Sequence, residues 1–391
     1  MKSHKSICVI SGSRADYGHL HPLLSAMDNS QYINLEIILT GMHLSKKFGL
    51  TKNQVLKDGF KIFKSVDTLS KTDDPTSICN SISAGINKFA TIFRSYKPDA
   101  ILVLGDRYEI FAAVVAAYFN NIPIIHVHGG ETTIGSLDEG IRHSITKFSC
   151  IHFTATEEYR RRVIQLGENP ETVHDVGAIG LQNLKNISLL PKASLEDSLG
   201  MRFMDKNLLV AYHPETNNSA KIESDFRALL EVISSLKNTY VIFTESNADA
   251  GGHLINKMIT EYVALHTDNS SSFVSLGQTR FLSLLKYVDA IVGNSSSGII
   301  EAPSLKTATI NIGNRQVGRV KGESVIDCKP TRRDIKRAFG KIYSDSFRKR
   351  LSRIRNPYEK SNSIILIMNI LEHMPKKIQK SYTFHDLKFS V

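Results

Sequence analysis

Residues 100–147 read AILVLGDRYEIFAAVVAAYFNNIPIIHVHGGETTIGSLDEGIRHSITK. Two apolar runs, AILVLG and PIIHVHG, each stop at a polar loop that opens a helical pattern, the signature of strands buried on both faces of a parallel sheet. Parallel neighbours need helical crossovers, so the stretch sets the fold class as α/β, doubly wound. It also puts Asp106, Arg107, Glu109, His126, His128, Glu131, Asp138, Glu139, Arg142 and His143 near the carboxyl ends of strands, where open α/β sheets bind their ligands. Ionisable groups beside such apolar strands are costly unless they pair or do chemistry. This stretch is the candidate active site.

The alternation continues in both directions. SICVISGS (6–13) predicts a strand, then the loop SRADYG and a helix over about 18–27; NLEIILTGM, a weaker FKIFKSV, a helix over 77–96 stopped by Pro98, CIHFTAT and a helix over 157–166 complete a first unit. The pattern breaks at NISLLPKASLEDSLG, which places a domain boundary near residue 185. A second alternation follows: LLVAYHPE, a helix over 222–236, TYVIFTES, a helix over 252–265, SFVSLG, FLSLLKYV, AIVGN, the helix SSGIIEAPSL, ATINIG and SVIDC. Pro357 then separates helical pattern over 332–355 from a last helix over 361–374. At 391 residues the chain exceeds what one core usually supports. Two Rossmann-like doubly wound domains, 1–185 and 186–358, with an active-site cleft between them, are expected.

Composition narrows the function. A 41% hydrophobic and 22% charged chain is ordinary for a globular protein. Forty-nine Lys and Arg against 38 acidic residues leave a net charge of +11, which suits an anionic partner. The excess reads as spread along the chain, with RRR at 160–162, RR at 332–333 and RKR at 348–350. With no long basic run and no basic–aromatic ladder, a phosphorylated small molecule is expected and nucleic acid is not. Cys8, Cys79, Cys150 and Cys328 form no CxxC pair, as in a reducing compartment. No signal-type leader and no apolar run of about 20 residues is present, so a cytoplasmic location without a membrane partner is expected.

Several motifs bear chemistry. GNSSSGIIEAP (293–303) brings Ser295, Ser296 and free backbone N–H groups to a helix start after a strand, a setting for a diphosphate, or alternatively an ordinary serine cap. Glu301 can accept from ribose hydroxyls, or be solvated. GSRADYG (12–18) lacks GxGxxG, and GxxxxGK[ST] occurs nowhere, so dinucleotide and P-loop binding are unsupported; Arg14 offers a bidentate phosphate contact or a surface ion pair. His213 of HPET follows the first strand of the second domain, facing the expected cleft or capping a helix. Arg315 and Arg319 of NRQVGR are further anion partners or exposed cations. His126 and His128, two apart, share a face of their strand, which invites a metal; the spacing fits no established ligand pattern, and no metal is assigned.

In unbroken order from residue 6 to about 375, SGSRADYG, TGMHLS, LGDRYEIF, HVHGGE, DEGIRHSITK, YHPET, GNSSSGIIEAP and GNRQVGR resemble the hydrolysing UDP-N-acetylglucosamine 2-epimerases, most of all the branch serving bacterial sialic acid synthesis. The resemblance implies a GT-B type fold of two Rossmann-like domains, with the last helix, 361–374, crossing back to the first. It implies conversion of UDP-N-acetylglucosamine and water to N-acetylmannosamine and UDP, without an added cofactor, in a homo-oligomer. A 2,4-diacetamido sugar nucleotide is the alternative substrate, and a non-enzymatic UDP-sugar binding protein a more distant reading. Residue by residue, it implies catalytic roles for Asp106, Asp138 and His213. It places Arg14, Ser295, Ser296, Glu301 and Arg315 on UDP, with Glu301 on the ribose and Arg107 and Arg142 as further anion partners. Where many relatives read HIEGGE, this chain has His128 in place of the acidic residue, so His128 or Glu131 is expected to take over the proton acceptor's role. The loop between Glu131 and Asp138 reads one residue longer than in those relatives.

Overall fold

The computed structural model describes residues 4–70, 72, 74–133, 137–214, 221–246, 252–376, 378 and 383–387, except the side chains of Lys185 and Asn186. The loop expected to be one residue longer falls partly on 134–136, outside the described residues. Two compact units emerge, one built from Met1–Glu131, Leu137–Asn183 and Lys360–Val391, the other from Thr132–Ser136 and Leu184–Glu359.

The first unit holds strands β1 (Lys5–Ser11), β2 (Ile33–Thr40), β3 (Ile62–Val66), β4 (Ala100–Leu104), β5 (Ile124–Val127), β6 (Ile151–Thr154) and β7 (Val173–Asp175). They pair in parallel in the order β3-β2-β1-β4-β5-β6-β7. Its helices are α1 (Arg14–Asp28), α2 (Lys52–Lys57), α3 (Pro75–Ser95), α4 (Tyr108–Phe119), α5 (Asp138–Phe148) and α6 (Glu157–Gln165), and α7 (Gln182–Asn186) and α8 (Lys192–Leu199) lead on. Because side chains alternate along a strand, Ile7 and Val9 of β1 enter one apolar layer and Cys8 and Ile10 the other. Both faces of the sheet are therefore covered, as its continuous apolar strands require.

The second unit repeats the plan with β8 (Lys206–Ala211), β9 (Thr239–Thr244), β10 (Ser270–Phe273), β11 (Ala290–Gly293), β12 (Ala308–Ile312) and β13 (Val325–Cys328), all parallel in the order β10-β9-β8-β11-β12-β13. Its helices are α9 (Ile222–Ser234), α10 (Gly252–Leu265), α11 (Gly277–Tyr287), α12 (Ser297–Ile300), α13 (Arg332–Ile342) and α14 (Asp345–Leu351). Leu208 and Val210 of β8 face one core, and Leu209 and Ala211 the other. The last helix, α15 (Ser363–His373), belongs to the first unit. Its Ile367 and Leu371 are fully buried in the layer that also holds Leu20 and Leu24 of α1, and Lys5 Nζ donates to the Leu371 carbonyl at 3.2 Å.

The structure departs from the sequence pattern at the sheet edges and in the C-terminal helices. β7 is three residues long, too short to leave a periodic signal. β10 covers SSSF rather than SFVSLG, because pairing with β9 sets its register and an edge strand tolerates serines. The helical pattern over 332–355 divides at Ser344, whose hydroxyl caps α14 by accepting from the Phe347 amide at 3.4 Å.

Candidate functional site

In the first unit the carboxyl ends of β4 and β5 meet the first turns of α5. Arg142 of α5, 2% exposed, is the tie: Nη2 donates to Asp106 just past β4, and Nη1 donates to the Glu131 carbonyl at 2.7 Å and to Glu139 Oε2 at 3.1 Å. Burial pushes the Asp106 carboxyl up, Arg142 opposes that shift, and Asp138 and Glu131 add to it. A carboxyl so placed exchanges protons closer to neutrality than a solvated one. Asp138 itself is exposed at the head of α5.

HVHGGE does not form the metal-like pair its spacing suggested. β5 ends at Val127, and His128 adopts φ 66, so strand alternation ends between the two imidazoles. His126 is fully buried, with Nε2 2.8 Å from the Gly105 carbonyl and Nδ1 3.1 Å from Thr146 Oγ1. Burial lowers its pKa to about 3, so the neutral ring donates from Nε2 and braces the loop that carries Asp106. His128, 8% exposed, directs Nδ1 to Glu131 Oε1 at 3.2 Å, while its Nε2 has no hydrogen-bond partner among the described residues. The ring lies in ion-pair range of that carboxylate without a hydrogen bond to Oε1, and its unbonded Nε2 can accept a proton. Gly130 fixes the turn: at φ 77, a Cβ there would sit 2.4 Å from the Tyr159 carbonyl oxygen of α6.

A second buried group in this unit joins Arg107 and Glu109 to Asp16, a residue that the sequence did not single out. Arg107 Nε donates to Glu109 Oε1 at 2.7 Å, and Glu109 is 1% exposed. Asp16 of α1, also buried, accepts from the Gly12 amide at 3.3 Å, and burial pushes its carboxyl up to about 6 against the pull of Arg107. Much of the Arg107 charge is thus balanced within the protein. Arg14 differs: it is exposed at the head of α1. The only signal for the Asp16 cluster was an acidic residue in a first helical turn, where acids are common.

In the second unit the strand ends of β8 and β11 are locked together. Asn294, 1% exposed, accepts from the His213 amide at 2.7 Å and donates to the His213 carbonyl at 2.8 Å. Gly293 makes that approach possible, since at φ 137 a Cβ would lie 2.1 Å from the Ala211 carbonyl oxygen. Arg315 Nη1 at 3.1 Å and Gln316 Nε2 at 2.8 Å both donate to the Asn294 carbonyl. So Asn294, which opens the GNSSSG motif, and Gln316 organise the loop that holds Ser295 and Ser296. His213 has Nδ1 3.4 Å from Ser246 Oγ, and burial, with Arg315 nearby, lowers its pKa to about 4. It is a neutral imidazole at physiological pH. The helix expected over SSGIIEAPSL is a single turn, α12, ending at Glu301 and continuing as a 3₁₀ turn over Ala302–Leu305, because Pro303 has no N–H to extend the ladder. One turn carries little macrodipole, so an anion at this loop would be held by amides, hydroxyls and Arg315.

Comparison with known proteins assigns the chain to a family. Residues 25–372 match the family described as UDP-N-acetylglucosamine 2-epimerase. The chain is 40% identical over 385 residues, 98% of each chain, to the polysialic acid biosynthesis protein P7 of Escherichia coli. It is also 40% identical over 347 residues, covering 88% of this chain and 89% of the relative, to the hydrolysing GDP/UDP-N,N'-diacetylbacillosamine 2-epimerase of Campylobacter jejuni. Among solved structures, the UDP-GlcNAc 2-epimerase of Neisseria meningitidis bound to UDP-GlcNAc superimposes with a TM-score of 0.80 at 18% identity, over 94% of this chain and 99% of that one. The two-sheet α/β architecture is thus that of the two-domain GT-B type. On this match the chain belongs to the UDP-N-acetylglucosamine 2-epimerase family, a family of enzymes acting on nucleotide sugars.

Proposed function

We propose that the protein is a hydrolysing 2-epimerase that converts UDP-N-acetylglucosamine and water to N-acetylmannosamine and UDP, the entry step of sialic acid synthesis. The observation that carries the reading is the grouping of a His128–Glu131 pair with an open ring nitrogen and a carboxyl, Asp106, pushed up by burial. That is a proton acceptor and a proton donor in one cluster, which elimination followed by hydration requires.

In the first stage His128 Nε2 takes the proton from sugar C2 while the C1–O bond breaks and UDP leaves, giving 2-acetamidoglucal. In the second, water adds its oxygen to C1 and a proton returns to C2 from the opposite face, with Asp106 and Asp138 as the acids in reach. The sum is a redox-neutral hydrolysis with inversion at C2. Ser295, Ser296, Arg315 and Arg14 hold the diphosphate, Glu301 the ribose, and His213 donates a ring N–H to the departing phosphate. Arg107, already paired with Glu109, contributes field more than direct contact. A homo-oligomer acting in the cytoplasm completes the reading, with the assembly checked by analytical ultracentrifugation.

Proton NMR of the protein with UDP-N-acetylglucosamine in deuterated water tests it. Free N-acetylmannosamine deuterated at C2, with UDP released, is expected; an undeuterated product, or none, defeats the mechanism. The same 40% identity to the diacetylbacillosamine enzyme, over a smaller share of the chain, supports a second reading, a UDP- or GDP-linked 2,4-diacetamido sugar as substrate. Turnover of that sugar alone decides for it.

A further inference from the structure

The positive charge of this chain is far more concentrated than its scattered runs suggest. Residues 329–355 contain eleven Lys and Arg and two Asp, so this one segment supplies +9 of the net +11. Folding places most of it on α13 and α14, which both pack onto the same apolar core of the second unit through Ile335, Ala338, Phe339 and Ile342 and through Phe347. The helical period then turns Arg332, Arg333, Lys336, Arg337 and Lys341 outward from α13, a half-circumference that holds only cations and Gly340.

Neighbouring carboxylates balance some of these charges: Glu231 pairs with Arg332, Asp334 with Arg337 at 3.5 Å, Asp289 with Arg348 at 3.8 Å and Glu323 with Arg350 at 3.8 Å. Lys329, Arg333, Lys336, Lys341, Lys349, Arg353 and Arg355 are exposed with no carboxylate in ion-pair range among the described residues. None of the exposed large hydrophobic side chains lies in this segment.

We propose that this face is a peripheral docking surface for an anionic phospholipid bilayer. Stable protein interfaces are centred on apolar and aromatic anchors, and this face has none. Nucleic-acid tracks combine cations with stacking aromatics, whereas the one tyrosine here, Tyr343, is partly buried with the Arg348 guanidinium over its ring. A convex carpet of cations needs no fixed partner geometry, and laterally mobile phosphate headgroups supply its counter-charge. The contact is electrostatic adhesion without insertion, weak and reversible, and it departs from the expectation of no membrane partner. No helix among the described residues is long and apolar enough to cross a membrane.

Co-sedimentation of the full chain with vesicles tests the proposal. At about 50 mM salt the protein should pellet with phosphatidylcholine–phosphatidylglycerol (3:1) vesicles and not with phosphatidylcholine alone, and about 0.5 M salt should release it. The variant Arg333→Gln/Lys336→Gln/Lys341→Gln/Lys349→Gln should lose at least about tenfold in partition with an unchanged melting temperature. A control removing four exposed cations elsewhere, Lys57→Gln/Lys61→Gln/Arg161→Gln/Lys237→Gln, should partition like the parent. No binding to the anionic vesicles at low salt, full retention in the first variant, or equal loss in the control overturns the proposal. So does tighter capture by a duplex oligonucleotide than by the vesicles, which assigns the face to nucleic acid.

Discussion

Asp106 sits between opposing fields, with the Arg142 guanidinium against it and Asp138 and Glu131 beyond. Asp106→Asn keeps the size and removes the proton-exchanging group. We expect UDP binding by calorimetry to stay within about threefold while turnover falls at least about a hundredfold. His128→Gln should do the same, since an amide cannot accept the C2 proton; parental turnover in either variant removes that residue from the chemistry. The buried histidines make a separate prediction. His43 and His213, lowered to about 4, and His126, lowered to about 3, stay neutral in the folded chain while the unfolded chain takes up protons near pH 6.5, so stability is lost as pH falls below that value. Asp16, raised to about 6, works in the other direction, because its folded form gains a proton first. From pH 7 to pH 5 the urea midpoint should therefore fall by the equivalent of about 4 kcal/mol, the three histidine contributions exceeding that of Asp16. A midpoint that rises over this interval contradicts these assignments.

Among elements, what the sequence made legible followed burial. β1, β4, β5, β8 and β11 are nearly unbroken apolar runs, because a strand covered on both faces has no polar side to show. β7 and β10 lie at sheet edges, and their partners rather than their own residues define them. The site was legible to the same degree. Strand ends located Asp106, Glu131 and His213, but the alternation that paired His126 with His128 fails at a left-handed residue, a backbone property that side-chain identity does not announce. Likewise the motif GNSSSGIIEAP contains Asn294 but does not announce its bonds to both the amide and the carbonyl of His213, which lie 81 residues away in sequence. The last helix carries its own prediction. Leu371 is fully buried against the first unit, so Leu371→Ala should destabilise that unit by about 3 kcal/mol in urea unfolding. A loss below about 1 kcal/mol means that α15 is not integral to this core.

For the whole molecule, the two units differ in chemistry: the buried ionisable groups around Asp106 and His128 lie on the first, and an amide-and-hydroxyl loop with Arg315 on the second, and the proposed reaction gives proton transfer to the former and the diphosphate to the latter. Hydrogen exchange over the full chain should therefore show saturating UDP slowing amides around 293–300 and 314–319, with little change around 124–131. The reverse pattern moves the nucleotide to the other unit. The chain path has a consequence for how the protein is made. The first unit reaches Asn183 early in synthesis, yet α15 emerges only after all of the second unit. At about 5–20 residues per second the ribosome needs roughly 10 to 40 s to cover that interval. Throughout it, the apolar layer that holds Leu20 and Leu24 of α1 lacks Ile367 and Leu371, so the part born first is the part finished last.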